Sequence, residues 1–229
     1  MRKTIVVVGA SKGIGAELVT LFAANSNLQV IALARSIEEE NAWRDKDNVF
    51  VYNFDLASLS ITEDLNRIFS KHSSIDFLIN NAGVLVNKPF LELSKNDIHT
   101  SYQVNVMGIM ESLQFFLPKM LSKGGHIVNI SSMGAFQGSV KFAGLSTYSS
   151  SKAALTNLTE MLAEEFKDSN VKFNCLCLGA VQTEMLAKAF PGYEAPISAS
   201  KMANYIADFT LNQWQWMNGK IIPVSLSTP

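Results

Sequence analysis

The stretch Gly9-Ala10-Ser11-Lys12-Gly13-Ile14-Gly15 directly follows an apolar run at residues 5–8 and precedes Leu18, Val19 and Phe22 at helical spacing. Strand, glycine turn and helix therefore occur in the order that a dinucleotide-binding unit requires. Glycines permit a close ligand approach, and the free N–H groups of a helix N-terminus attract a pyrophosphate. The spacing is G-x-x-x-G-x-G rather than the commoner G-x-G-x-x-G. Taken alone, the turn is therefore also compatible with a purely structural role in which it binds no ligand.

Short β-branched runs alternate with segments of helical periodicity along the whole chain. This alternation predicts an α/β fold: a Rossmann-like, doubly wound, mainly seven-stranded parallel sheet with helices on both faces. No repeat or linker interrupts the pattern, so residues 1–229 are predicted to form one domain, and the charged stretch at residues 35–47 is predicted to be a solvated helix. Strands are predicted at residues 5–8, 29–33, 49–53, 77–80, 126–130, 171–176 and 220–224, and helices at residues 16–24, 59–69, 96–121 and 148–166.

The composition bounds the function. A formal net charge of −1 gives no electrostatic attraction to nucleic acid or to an anionic membrane, so small molecules are the expected partners. No apolar stretch approaches the roughly 18 residues of a membrane span, and the run at residues 5–8 is too short for a signal sequence, so a cytoplasmic protein is expected. Charged residues make up only 17% of the chain. Typical domains have about 25%, which favours a surface partly buried in a homodimer or homotetramer.

Cys175 and Cys177 are the only cysteines, and strand alternation places both on one face of the sixth strand. There is no second cysteine pair, and the three histidines are scattered. Buried structural thiols are therefore predicted, with no metal site.

The end of the second predicted strand bears on the choice of dinucleotide. Proteins that prefer NAD usually carry an acid here to hold the ribose 2′-hydroxyl, but this chain has Arg35-Ser36. Arg35, with Lys12 and Ser11, is predicted to bind the 2′-phosphate of NADP. NAD(H) is the less favoured cofactor. The alternative is that Arg35 and Lys12 are simply exposed surface residues that bind no phosphate.

Tyr148 and Lys152 open a predicted helix and lie four residues apart, hence on one face. A free phenol has a pKa of about 10, but an adjacent ammonium favours the phenolate. Such a pair can exchange a proton with a carbonyl or an alcohol. The Y-x-x-x-K pattern is common by chance, and its weight here comes from its position after the fifth strand and Ser131-Ser132.

The glycine turn, Asn80-Asn81-Ala82-Gly83 after the fourth strand, and the order of serine, tyrosine and lysine together resemble the short-chain dehydrogenase/reductase family. The resemblance covers nearly the entire chain. It implies an NADP(H)-dependent oxidoreductase that interconverts a carbonyl and an alcohol on a small, partly apolar substrate. Tyr148 would donate the proton in reduction and accept it in oxidation. Lys152 would lower the pKa of Tyr148 and bind the nicotinamide ribose, while Ser132, preferred over Ser131, would donate to the substrate oxygen.

The resemblance also assigns the other site residues. Asn105 would hold a water that links the lysine to solvent, with a helix-packing amide as the alternative. Asp55 and Leu56 would hold the adenine, although Asp55 is also a candidate helix cap. The implied cofactor-binding set is Gly9, Ser11, Lys12, Gly13, Ile14, Gly15, Arg35, Asp55, Leu56, Asn81, Ala82, Gly83, Tyr148, Lys152, Val181 and Thr183.

Three features depart from the family pattern or extend it. Leu178 replaces a usual proline, which is expected to loosen the turn that faces the nicotinamide, although the Val181 backbone and Thr183 can still reach the carboxamide. The extra residues between Ser132 and Tyr148 are assigned to a lysine-bearing loop at residues 140–145 near the substrate. The apolar segment at residues 184–199 is predicted to be a mobile substrate lid, with a packed connector as the alternative.

Two other functions stay open. A β-ketoacyl-carrier reductase of the same fold would need a basic docking patch beside the cleft, for which Lys119, Lys123 and Lys141 are candidates. The second open function is that of a non-catalytic protein that senses NADP(H). The intact set of Asn105, Ser132, Tyr148 and Lys152 argues against a sensor, because a sensor has no need of a proton relay.

Overall fold

The computed structural model describes residues 2–36, 43, 46–72 and 74–226 and is built around a parallel sheet. Seven strands pair in the order β3-β2-β1-β4-β5-β6-β9, and every pairing is parallel. A separate two-stranded sheet is formed by β7 and β8. The strands are β1 (Lys3–Val8), β2 (Leu28–Ala34), β3 (Val49–Asn53), β4 (Phe77–Asn80), β5 (Gly125–Ser132), β6 (Val171–Leu178), β7 (Val181–Gln182), β8 (Ile197–Ser198) and β9 (Lys220–Val224).

Helices cover both faces of the main sheet. The α-helices are α1 (Gly13–Ala23), α2 (Ile61–Ile68), α3 (Lys95–Tyr102), α4 (Gly108–Leu121), α5 (Ser146–Glu165), α6 (Glu184–Ala189) and α7 (Ala199–Asp208). Helices α1 and α7 share one buried apolar cluster with the sheet, and α2, α4 and α5 share the other. Side chains of β1 alternate between the two clusters, as expected for a strand buried on both faces. The predicted doubly wound, seven-stranded parallel fold is confirmed.

The boundaries differ from the predictions at a few places. Strands β5 and β6 each continue two residues further, to Ser132 and Leu178. The long helix predicted at residues 96–121 is α3 and α4 joined by a π-helical turn, Gln103–Met107. Helices α6 and α7 were not predicted. Most of the charged stretch at residues 35–47 lies outside the described residues, although Trp43 within it is buried in the core.

The sheet order reverses between β1 and β4, because the chain winds outward from this point in both directions. In open α/β sheets such a switch point opens a crevice at the carboxyl ends of the strands. We refer to this side as the carboxyl edge. The glycine turn after β1, Asn81 after β4 and Ser132 at the end of β5 all lie along it.

Two further expectations concern burial and membranes. Cys175 and Cys177 are buried free thiols in one small apolar cluster with Met133, which confirms that they share a face and are buried. None of the helices among the described residues combines the length and the apolarity that crossing a bilayer requires.

Candidate active site

The glycine turn has a backbone that only glycine adopts readily. Gly9 has φ +87° and Gly13 has φ +53°, in the left-handed region. The N–H groups of Gly9 and Ala10 both donate to the carbonyl of Leu33, at 2.8 and 3.1 Å, which ties the turn to the end of β2. A Cβ on Gly15 would overlap the Gly9 carbonyl oxygen. The turn and the first residues of α1 therefore form a close-packed cradle of the kind that a pyrophosphate fits.

The segment after β4 joins this cradle to the buried lysine. Asn81 Nδ2 donates to the Gly9 carbonyl at 2.8 Å. A Cβ on Gly9 would lie 2.6 Å from the Ala82 Cα, and one on Gly83 would lie 3.1 Å from Lys152 Nζ. Asn81, Ala82 and Gly83 thus line one continuous floor from the glycine turn to Lys152.

Lys12, predicted to bind a phosphate, has a carboxylate partner. Its Nζ lies 3.3 Å from Oε2 of Glu184, the first residue of α6. A Cβ on Gly13 would lie 3.2 Å from Thr183 Cγ2, so the glycine turn and the start of α6 face each other closely. Arg35 is exposed just beyond β2. Arg35 is therefore exposed to solvent at the carboxyl edge. Lys12 lies in the glycine turn at the same edge, and its ammonium forms an ion pair with α6.

Asp55 and Leu56 stabilise the turn that follows β3. Asp55 Oδ1 accepts from the Ala57 N–H at 2.9 Å. The helix-cap alternative for Asp55 is wrong, because α2 begins at Ile61 with Ser60 at its N-cap position. Leu56 is buried, and its carbonyl accepts from Gln103 Nε2 at 3.3 Å, which links this turn to the π-helical turn.

Tyr148 lies in the first turn of α5, near enough to Ser132 for the serine hydroxyl to influence its pKa. Burial raises the pKa of Tyr148 above 10, the Ser132 hydroxyl opposes this rise, and the Cys177 thiol adds to it. The phenol is consequently protonated at neutral pH. A protonated phenol beside a serine hydroxyl is an acid suited to a developing alkoxide.

The structure distinguishes the two adjacent serines. The Ser132 hydroxyl lowers the pKa of Tyr148, and its Oγ accepts from the Gly134 N–H at 3.2 Å. Ser131 Oγ is buried and donates to the Lys152 carbonyl at 3.0 Å. Ser132 is therefore the hydroxyl that the structure brings to the tyrosine.

Lys152 is buried one helical turn after Tyr148, and its Nζ donates to the Ile130 carbonyl at 2.8 Å. Burial lowers the pKa of Lys152 to about 8, while the thiols of Cys175 and Cys177 raise it. The expectation that Lys152 lowers the pKa of Tyr148 stays a prediction, because the net shift at the phenol is upward. Burial dominates at the phenol, and the ammonium is directed to the neighbouring strand instead.

Asn105 is buried in the π-helical turn and holds the chain after β4. Its Oδ1 accepts from the Val84 N–H at 2.9 Å. Its Nδ2 donates to the Val84 carbonyl at 3.0 Å and to Ser151 Oγ at 2.9 Å. Both amide protons of Asn105 are used in these bonds, so the side chain does pack the helix against the segment after β4. The second lone pair of Oδ1 is the acceptor that remains for a water.

The turn after β6 is held firmly. Strand β6 continues through Leu178, and the Gly179 N–H donates to the Val224 carbonyl at 2.9 Å. Val181 then pairs with Ile197 between β7 and β8. Leu178 continues the parallel pairing with β5 and β9 to the strand end, and the loosening expected from the missing proline stays a prediction.

Three segments meet beside the cleft through residues that sequence reasoning missed. Asn87 Nδ2 donates to the carbonyl of Ala189, the last residue of α6, at 2.8 Å. The Lys88 N–H donates to the Gly144 carbonyl at 3.0 Å. The segment at residues 87–88 thus ties the lysine-bearing loop to the predicted lid, whose mobility stays a prediction.

The basic patch predicted for carrier docking is divided by the fold. Lys119 lies in the last turn of α4, with its Nζ 4.6 Å from the centre of the Phe115 ring. Lys123 follows α4 and precedes β5, at the amino end of the sheet. Lys119 and Lys123 are therefore wrong as a patch beside the cleft, and Lys141 alone of the three lies on the carboxyl edge.

Comparison with known proteins agrees with this geometry. A family model described as short chain dehydrogenase matches residues 3–194. The 3-oxoacyl-[acyl-carrier-protein] reductase FabG of Aquifex aeolicus (strain VF5) is 33% identical over 194 residues, covering 81% of this chain and 76% of its own. A structure of ElxO with NADP bound superposes with a TM-score of 0.85 at 25% identity, covering 98% of each chain. The fold is also that of 4-hydroxyisoleucine dehydrogenase complexed with NADH, with a TM-score of 0.86 at 24% identity over 98% of this chain and 97% of that one.

Proposed function

The chain belongs to the short-chain dehydrogenase family, and on that premise we propose that it interconverts a carbonyl and an alcohol on a small, partly apolar substrate with NADP(H). As a member of that family it is an oxidoreductase that uses a nicotinamide dinucleotide. The choice of NADP(H), the substrate and the residue roles are our proposals. When bound, the dinucleotide supplies or accepts the hydride.

The observation that carries the proposal is the placement of Ser132 at the end of β5 and of Tyr148 in the first turn of α5, with Lys152 buried one helical turn later. In reduction, the phenol O–H of Tyr148 donates its proton to the substrate oxygen as hydride reaches the carbonyl carbon. The Ser132 hydroxyl donates a hydrogen bond to the same oxygen and stabilises its developing charge. In oxidation the phenolate accepts the proton, and because burial raises the pKa of Tyr148 this base forms only at alkaline pH.

Lys152 keeps two N–H groups beyond its bond to Ile130, and we assign them to the nicotinamide ribose. Gly83 supports this, because the absence of a side chain leaves the space next to Lys152 Nζ open. Asn105 is assigned to hold a water on its free Oδ1 lone pair, so that protons pass from Lys152 to solvent.

The remaining assignments concern cofactor binding. The glycine turn would hold the pyrophosphate, and Arg35 with Lys12 and Ser11 the 2′-phosphate. No acid is present at Arg35-Ser36 to favour NAD. The other binding residues would be Asp55 and Leu56 toward the adenine, Asn81, Ala82 and Gly83 along the floor, and Val181 and Thr183 at the carboxamide.

A 3-oxoacyl-carrier reductase is the second candidate, favoured by the 33% identity to the Aquifex enzyme of that name. The position of Lys119 and Lys123 at the opposite edge of the sheet weighs against it, because a carrier protein would dock beside the cleft. A free β-ketoacyl ester and its carrier-bound form, compared as substrates, separate the two candidates.

We further propose that residues 1–229 form one domain and that two or four copies associate. Exposed apolar side chains on α4 and α5, such as Met110 and Met161, support pairing of these long helices between copies. Light scattering would show a dimer or tetramer, with Met110→Glu and Met161→Glu shifting it toward the monomer. A monomeric wild type would contradict this proposal.

The test of the proposed function is oxidation of NADPH and of NADH, followed at the nicotinamide absorbance, against ketones, aldehydes, quinones and β-ketoacyl esters. We expect turnover of at least one carbonyl, with NADPH preferred. Tight binding of NADPH with no turnover on any member of the panel would favour a nucleotide-sensing protein instead.

A further inference from the structure

The loop between the Ser132 turn and α5 carries a lysine whose ammonium is fixed in place. Lys141 Nζ donates to the Phe136 carbonyl at 2.7 Å and to Ser139 Oγ at 2.7 Å. Ser139 Oγ in turn donates to the carbonyl of Met133, the residue that follows Ser132. The long side chain is therefore folded back onto the turn that begins at Ser132 instead of extending into solvent.

Both acceptors of this ammonium are neutral. In the part of the chain that the structure describes, no carboxylate lies within ion-pair distance of Lys141, whereas Lys12, Lys88 and Lys167 each have one. An ammonium has three donors, and Lys141 uses two of them. One N–H and the full positive charge are thus left without an anionic partner among the described residues.

The charge of Lys141 also acts on Cys177, in the strand that pairs with the one ending at Ser132. The pKa of the Cys177 thiol is lowered mainly by a hydrogen bond with Cys175, and the ammonium groups of Lys152 and Lys141 lower it further. The same thiol influences Tyr148. Through Ser139, the Lys141 ammonium is thus tied to the turn that begins at Ser132, on the carboxyl edge.

If Lys141 served only to hold its loop, a neutral hydrogen-bond donor would suffice, because both of its acceptors are neutral oxygens. A cation held beside a reacting carbonyl is useful when the substrate carries an anion, because charge-assisted hydrogen bonds are roughly twice as strong as neutral ones. Resting on the proposed function, we propose that Lys141 binds an anionic group of the substrate, a carboxylate or a phosphate, so that the substrates of this enzyme are small keto acids or keto phosphates.

The test uses matched pairs of probes that differ in charge: acetoacetate with its methyl ester, and dihydroxyacetone phosphate with dihydroxyacetone. Affinity is measured by calorimetry on the full-length protein saturated with NADP⁺, and kcat and KM are measured with NADPH. We expect at least one anion to bind about tenfold more tightly than its neutral partner. The pair that shows the preference distinguishes carboxylate from phosphate.

Variants separate charge from loop structure. Lys141→Gln keeps a neutral donor for the loop and should abolish the preference through KM with kcat retained, while Lys141→Arg should keep it. Lys220→Gln makes the same charge change at the amino end of β9 and should leave the preference unaltered. Thermal unfolding of each variant reports whether the loop change has affected the fold.

Equal affinity for charged and neutral probes, failure of both anions to bind, or a preference that survives Lys141→Gln would each overturn the proposal. The binding measurement needs no turnover, so the two proposals fail separately. Anion-selective binding without NADPH oxidation would contradict the proposed reaction alone. Equally efficient reduction of charged and neutral carbonyls would contradict the role of Lys141 alone.

Discussion

The ammonium of Lys152 donates to the main-chain carbonyl of Ile130, in β5, at 2.8 Å. Tyr148 precedes Lys152 by one turn of the same helix, α5. Burial lowers the pKa of Lys152 to about 8. The site therefore combines a lysine that titrates close to physiological pH with a tyrosine that stays protonated well above it. If the proposed carbonyl reduction takes place here, we expect the lysine rather than the phenol to set its pH dependence.

We predict that kcat/KM for carbonyl reduction is constant through neutral pH and falls as the pH rises through about 8, because Lys152 loses its charge there. Lys152→Arg keeps the charge and should move this decline to higher pH. The pH profile of NADPH oxidation measures both. A decline at the same pH in the arginine variant would assign it to another group.

The two adjacent serines provide a matched pair of variants. Ser132→Ala should lower kcat by about 10²-fold, since it removes a hydrogen-bond donor to the developing oxyanion. Ser131→Ala should stay within severalfold of wild type, because Ser131 Oγ is occupied by the Lys152 carbonyl. Steady-state kinetics on one substrate decide the assignment, which is reversed if Ser131→Ala is the inactive variant.

Glu184 should influence the choice of cofactor. Its carboxylate lies 3.3 Å from Lys12 Nζ and would compete with the proposed 2′-phosphate for that ammonium. Glu184→Gln should therefore tighten NADPH binding severalfold without altering NADH binding, and Arg35→Ala should weaken NADPH binding selectively. Titration of protein fluorescence with each nucleotide tests this. Parallel changes for NADPH and NADH would show that neither residue recognises the phosphate.

His126 should make the fold sensitive to acid. It is fully buried, with Nδ1 3.1 Å from the Thr210 carbonyl and Nε2 3.0 Å from Asn174 Nδ2. Burial lowers its pKa from 6.5 to about 4, with the Thr210 hydrogen bond opposing. Between pH 6.5 and about 4, His126 is protonated in the unfolded chain but stays neutral in the folded chain. The free energy of unfolding should therefore fall by about 3 kcal/mol as the pH approaches 4.

Denaturant unfolding as a function of pH measures this loss. His126→Gln should flatten the dependence between pH 6.5 and 4. His99→Gln, which replaces an exposed histidine at the end of α3, should leave it unchanged. An equal slope in the wild type and His126→Gln would show that other groups cause the acid sensitivity.

The fold could be predicted from sequence because its signals are local. Strand β1 contains a continuous apolar run at residues 5–8, and the glycine turn, Asn81-Ala82-Gly83 and Tyr148 each stand where a strand ends or a helix begins. Helix α7 had a local signal too, since Met202, Ile206 and Phe209 follow the N-cap Ser198 at helical spacing.

The contacts that define the site could not be predicted in the same way. Asn87 bonds to Ala189 and Lys12 pairs with Glu184, and no local pattern marks partners so far apart in the chain. The direction of the Tyr148 pKa shift depends on burial, which the four-residue spacing to Lys152 does not reveal. Residue types could thus be assigned from motifs, but their ionisation required the tertiary structure.

The most direct test of the proposed chemistry is turnover by Tyr148→Phe with NADPH and the best carbonyl substrate. Tyr205→Phe, at an exposed tyrosine on α7, is the matched control. We predict that Tyr148→Phe binds NADPH as tightly as the wild type and loses about 10²-fold or more in kcat, while Tyr205→Phe retains full activity. Wild-type turnover in Tyr148→Phe would contradict the assignment of Tyr148 as the proton donor.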